Sequence, residues 1–211
     1  MPTILCFGDS NTWGSVPRRT RRYDNDERWP ALLRAALPNN FEVIEEGQPG
    51  RTTVHNDPFE GEKNGLRYLC PCLESHIPDL VLILLGTNDL KHRFGLSAYD
   101  IAQGASKLVE EVQKFKSMAK AVPPKVLLIA PPPVYEVGFF ANMFSGAALK
   151  SQSLAKYYAQ FARALGCEFF DAGSVVNSCH KEGIHWQVEQ HKYLADALTP
   201  IVASIMSEQK K

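Results

Sequence analysis

Two rhythms of apolar and polar positions divide the chain. Five short runs are largely apolar: residues 4–7, 41–46, 79–85, 125–130 and 168–171. Runs of that length predict strands, and near-continuous apolarity is what a strand covered on both faces requires. Glutamates at 42, 45 and 46 break the second run in the way an edge strand allows. Elsewhere apolar residues recur every three or four positions, the helical rhythm. Helices are expected over residues 29–37, with Asp26 as cap and Pro30 in the first turn, and over residues 63–75, interrupted by Gly65 and Pro71. The longest follows Ser97 and Asp100, a capping box with Asp in place of Glu, and carries Ile101, Ala105, Leu108, Val109, Val112 and Phe115. Two more cover residues 149–165 and 189–206.

Strands alternating with helices imply right-handed crossovers and a parallel sheet covered on both faces. Five strands predict a three-layer α/β/α fold with flavodoxin-like order 2-1-3-4-5. No repeat, low-complexity tract or linker divides the chain, so residues 1–211 read as one domain.

Open sheets of this kind place their sites at the C-terminal ends of the strands. Four polar candidates fall there: Ser10, Gly50, Asn88 and His185. A serine hydroxyl is a poor nucleophile until a base takes its proton, and His is the side chain with an unperturbed pKa nearest neutrality. Ser10 and His185 suit those roles. The negative oxygen produced by attack on an ester needs fixed donors, each worth roughly 3 kcal/mol. The N–H groups of Ser10 and Gly50 and the amide of Asn88 can supply them, although Gly50 and Asn88 are equally ordinary turn residues.

Composition narrows the field. Lys plus Arg and Asp plus Glu both number 23, so no net field attracts nucleic acid or an anionic membrane surface. No apolar run approaches the roughly 20 residues that span a bilayer, and no signal-peptide pattern opens the chain, which points to the cytoplasm. The five cysteines predict free thiols rather than disulfides. Cys70 and Cys72 lack a second ligand pair, so no metal and no cofactor is expected. There is no G-x-S-x-G elbow, P-loop or G-x-G-x-x-G.

Together, Gly8-Asp9-Ser10, Gly50, Gly86-Thr87-Asn88-Asp89 and His185 resemble the four blocks of the SGNH (GDSL-type) hydrolase family. Thr12-Trp13-Gly14, Arg28-Trp29-Pro30, Arg51-Thr52-Thr53 and Ala130-Pro131-Pro132-Pro133 look like its arylesterase/acyltransferase branch. The resemblance implies Ser10 as nucleophile, His185 as base, and Ser10, Gly50 and Asn88 as oxyanion hole. It implies a serine esterase acting on small acyl esters, with transfer to alcohols as a further activity, in a homo-oligomer, often an octamer. A carbohydrate O-acetyl esterase on the same machinery is the alternative. Asp9, Trp13, Ile184 and Trp186 are expected to contact substrate. Two departures stand out. Asn11 replaces the usual Leu, and Glu182 replaces the family's Asp three residues before the histidine. Residues 15–27 read either as a solvated loop or as a rim above the serine, and the aromatic residues 134–146 either as core or as an apolar lid.

Overall fold

In the computed structural model, which describes residues 1–207, every residue of β1 (Thr3–Gly8) is buried. Alternation accounts for this, since successive strand residues point to opposite faces. Leu5 and Phe7 enter one apolar cluster, Ile4 and Cys6 the other. β3 (Leu80–Leu84) and β4 (Lys125–Ala130) divide in the same way, Val81, Ile83, Val126 and Leu128 to the first cluster, Leu80, Leu82, Leu127 and Ile129 to the second. The edges are β2 (Glu42–Gly47) and β5 (Glu168–Asp171). The sheet runs β2-β1-β3-β4-β5 with every pairing parallel.

Helices cover both faces. On one lie α3 (Gly65–His76), α4 (Ala98–Lys114) and α6 (Leu154–Leu165), contributing Leu69, Ile101, Leu108, Tyr158 and Ala162 to the first cluster. On the other, α2 (Trp29–Ala36) and α7 (Val188–Ser207) supply Trp29, Leu33, Leu194, Leu198 and Val202. The capping box of α4 forms as its sequence implies, Ser97 accepting from Asp100 N and Asp100 from Ser97 N.

Two local expectations are corrected. Asp26 does not cap α2; the cap position is Arg28, without a side-chain cap bond. Pro30 already removes one of the donors a cap would serve, and the Arg28 guanidinium instead bonds Glu45 at 2.8 Å and the Tyr23 carbonyl at 2.8 Å. The helix expected over residues 149–165 is two helices, α5 (Ala147–Ser151) and α6. At the junction Ser151 Oγ donates to the Ala148 carbonyl and accepts from Val134 N, a local alternative to continuing the helical ladder.

The C-terminal ends of the central strands finish level. Gly8 lies opposite Gly47 on one side and Leu84 on the other. A single-turn helix, α1 (Ser10–Trp13), rests on that edge so closely that a Cβ at Gly47 would fall 2.2 Å from the Trp13 nitrogen. Side-chain bulk at Gly47 would therefore lift the turn that begins with Ser10. Among the described residues, no helix is long and apolar enough to cross a membrane.

Candidate active site

Ser10 opens α1, and the turn is built by its neighbours. Asp9 caps it, its carboxylate accepting from Asn11 N at 2.9 Å, and Gly14 closes it in the left-handed region at φ 91°. Asn11, the departure from the usual Leu, has a task of its own. Its Nδ2 donates to the Ile184 carbonyl at 3.3 Å and so ties the turn to the segment carrying His185.

That segment is held by backbone bonds. Cys179 N donates to the His185 carbonyl at 2.8 Å, Gly183 N to the Cys179 carbonyl at 2.6 Å, and Tyr135 N to the Gly183 carbonyl at 2.9 Å. Gly183 takes φ 97°, and a Cβ there would meet the Tyr135 carbonyl oxygen at 2.0 Å. The bend lets Glu182 fold back onto the residue it precedes by three. Its Oε1 lies 2.6 Å from His185 Nδ1, and its Oε2 accepts from His185 N at 2.9 Å. Burial raises the Glu182 pKa, but the His185 hydrogen bond and charge, with the His185 and Arg18 amides, outweigh it and hold the carboxyl below its ordinary value. A charged acceptor on Nδ1 fixes the tautomer that leaves Nε2 free. Arg18 has a left-handed backbone at φ 59°, uncommon for a residue with a Cβ.

Ser10, Gly50, Asn88 and His185 line one cavity of about 430 Å³, walled by Phe140, Met143, Phe144 and Ile184. Ser10 and His185 share it without a direct hydrogen bond, a contact that in such sites often tightens only around substrate. Gly50 sits at φ 83°, so the turn geometry and closeness to the cavity coexist at this residue. Asn88 Nδ2 gives one hydrogen to the Arg51 carbonyl at 3.1 Å and keeps the other.

Arg51 matched a family block in the sequence but had no assigned work. Its buried guanidinium donates to the Gly8 carbonyl at 2.9 Å and to the Glu46 carbonyl, and lies 4.2 Å over the Phe7 ring. Burial lowers its pKa. Asp89 is similarly unforeseen. Fully buried, it accepts from Thr53 N and Thr53 Oγ1, joining the loops after β2 and β3.

Of the four residues expected to contact substrate, Ile184 lines the cavity. The other three are elsewhere. Asp9 is 1% exposed and engaged in capping. The Trp13 ring stands under the Arg22 guanidinium at 5.2 Å and lines neither cavity beside His185. Trp186 is 0% exposed, packed in the core with its ring 5.5 Å from His191, which corrects the expectation that it meets substrate. Packing against α7 and the sheet holds it there, with its carbonyl accepting from Tyr23 Oη at 3.2 Å. The aromatic segment is both things its sequence suggested: Val134 and Phe144 are core, Phe140 and Met143 wall the cavity, and Phe139 is 90% exposed. No group of three His, Cys, Asp or Glu side chains among the described residues is placed to hold a metal.

The GDSL-like Lipase/Acylhydrolase family matches residues 6–195. The chain belongs to that family. Among GDSL-like proteins of known structure it is similar to Est24, a carbohydrate acetylesterase from Sinorhizobium meliloti, at 39% identity and TM-score 0.93, covering 97% of this chain and 100% of that one. It is equally similar to the M. smegmatis aryl esterase, at 41% identity and TM-score 0.92 over 97% and 99% of the two chains. An arylesterase from Vibrio mimicus is 39% identical over 88 residues, which span 41% of this chain and 37% of that protein.

Asp9 yields a test of the turn. Burial pushes its pKa up from 3.8 to about 6, against the Asn11 amide, the His185 charge and Thr87. The folded state thus holds the proton more tightly than the unfolded one, so this stabilisation is complete below pH 3.8 and is lost as pH rises through about 6. Relative to Asp9→Asn, the parent should lose about 2 kcal/mol of stability between pH 4 and pH 7. Urea unfolding of both proteins at the two pH values measures it, and a constant difference would show that Asp9 does not titrate in that window.

Proposed function

We propose that the protein is a serine esterase that hydrolyses small acyl esters through an acyl-Ser10 intermediate. The observation that carries this reading is the Glu182–His185 contact, 2.6 Å at Nδ1, within a cavity that Ser10, Gly50 and Asn88 also line. In the first step His185 Nε2 takes the Ser10 proton as Oγ attacks the ester carbonyl. Glu182 stabilises the imidazolium, and the donors at Ser10, Gly50 and Asn88 receive the oxyanion. Collapse of the adduct passes the proton from His185 to the departing alkoxide. A water molecule then attacks the acyl-enzyme with His185 again as base, and an alcohol in its place gives acyl transfer. The wall of Phe140, Met143 and Phe144 suits a small apolar acyl group.

The resemblance to both an aryl esterase and a carbohydrate acetylesterase supports the chemistry without separating the alcohols. Relative turnover of p-nitrophenyl acetate and an acetylated sugar separates them. The free state of all five cysteines supports the cytoplasmic reading. A homo-oligomer is supported by exposed apolar residues away from the site, Phe59 and Leu149.

Mass spectrometry after brief exposure to p-nitrophenyl acetate should show one added acetyl group on Ser10, absent from Ser10→Ala. Acetyl on another residue, or unchanged hydrolysis by Ser10→Ala, would remove Ser10 as nucleophile. Glu182→Gln should lower kcat by about 100-fold or more, and Glu182→Asp should retain less than the parent because its shorter reach must still span to His185. Unchanged kcat in Glu182→Gln would leave Ser10 and His185 as a dyad. Light scattering should give a multiple of the 23.5 kDa chain mass, and the mass of a single chain would reject the oligomer.

A further inference from the structure

A second and larger cavity, about 780 Å³, opens on the far side of His185. Arg18, Arg19 and Lys181 line it together with Phe139 and Phe140. The two cavities share only His185 and Phe140, whose rings meet edge to face with centroids 5.7 Å apart.

We propose that this second cavity is the subsite for the alcohol portion of the ester, and that it selects alcohols carrying an anionic group on an apolar, ring-sized body. The inference rests on the esterase reading and adds the substrate class. Chemistry sets the direction in which an ester lies. The acyl carbonyl must sit beside Gly50 and Asn88, which line the first cavity and not the second. The leaving oxygen must sit beside His185, the group that protonates it. An alcohol leaving past His185 enters the second cavity.

Charge sets what that alcohol carries. The chain as a whole balances 23 basic against 23 acidic residues, and most cations near the sheet edge are spent in pairs: Arg22 and Arg28 on Glu45, Lys91 on Asp57 and Glu60. Arg18, Arg19 and Lys181 form no ion pair with any described residue. The one carboxylate in the lining, Glu182, is 3% exposed and committed to His185, so it presents little charge to the opening. The same three cations also line a neighbouring depression, together with Pro17 and Gln187. Phe139, exposed at the mouth, and Phe140 provide an apolar bed for a ring between His185 and the cations.

The test compares 4-acetoxybenzoate with the near-isosteric, neutral 4-acetoxybenzamide, each kcat/KM divided by the spontaneous hydrolysis rate of that ester. Exposed cations each contribute about two- to fivefold to a charged partner, so the corrected ratio should favour the anion by about tenfold. It should collapse toward one in 0.5 M salt, where the screening length is only a few ångströms. In the double variant Arg19→Gln/Lys181→Gln the ratio should fall to about twofold, and Arg19→Lys/Lys181→Arg should restore it. Arg18 is left intact because its amide helps hold Glu182. A ratio near one in the parent at low salt, or one that survives both salt and the double variant, overturns the subsite. Turnover of neither ester would instead overturn the esterase reading on which the subsite rests.

Discussion

The buried guanidinium of Arg51 is the contact on which the site's geometry depends. Strand-end carbonyls have lone pairs that must find donors beneath the loops, and at the edge of β1 and β2 the Gly8 carbonyl takes Gln48 N at 3.1 Å and still has one to spare. Arg51 Nη1 donates to both the Gly8 and Glu46 carbonyls while its Nε donates to Gln48 Oε1, and its own carbonyl orients Asn88. Arg suits the place because its planar fork donates in several fixed directions and keeps its charge despite burial. A lysine would bring a single point charge there. One side chain therefore sets the separation of the serine turn, the Gly50 turn and the Asn88 amide.

The strands, their order and the convergence of Ser10, Gly50, Asn88 and His185 on one edge were legible because each depends on local periodicity plus a general rule of parallel sheets. What escaped was set by contacts between distant segments. Asp26 has good cap chemistry, yet Arg28 occupies the cap because Glu45 on β2 claims its guanidinium. The break between α5 and α6 turns on Ser151 meeting Val134, a pairing no periodicity reveals. Trp186 looked like a substrate contact because it adjoins the histidine, and only the packing of α7 shows that it faces the core. Arg51 carried a signal in its position after Gly50, but its work needs β1 and β2 in register to be seen.

The two departures from the family's usual residues become intelligible in three dimensions. The extra methylene of Glu182 is absorbed by the bend at Gly183, and the carboxylate spans both Nδ1 and the backbone nitrogen of His185. Asn11 makes a hydrogen bond to the Ile184 carbonyl that a leucine could not, so the Ser10 turn is linked directly to the segment carrying His185. In a buried setting such a bond fixes how the two segments meet, since either partner left alone would be an unsatisfied polar group.

The segment bearing His185 belongs to no strand and no helix; it hangs between β5 and α7 on a few backbone bonds to Cys179 and Tyr135 and on the amide of Asn11. Its side chains enter the core on either side of the histidine, Ile184 in the first apolar cluster and Trp186 in the second. The position of the His185 ring is thus tied to the packing of both layers, although no strand ladder holds the backbone there. A void opened under either anchor reaches the cavity wall directly, so the two cores and the site share one packing.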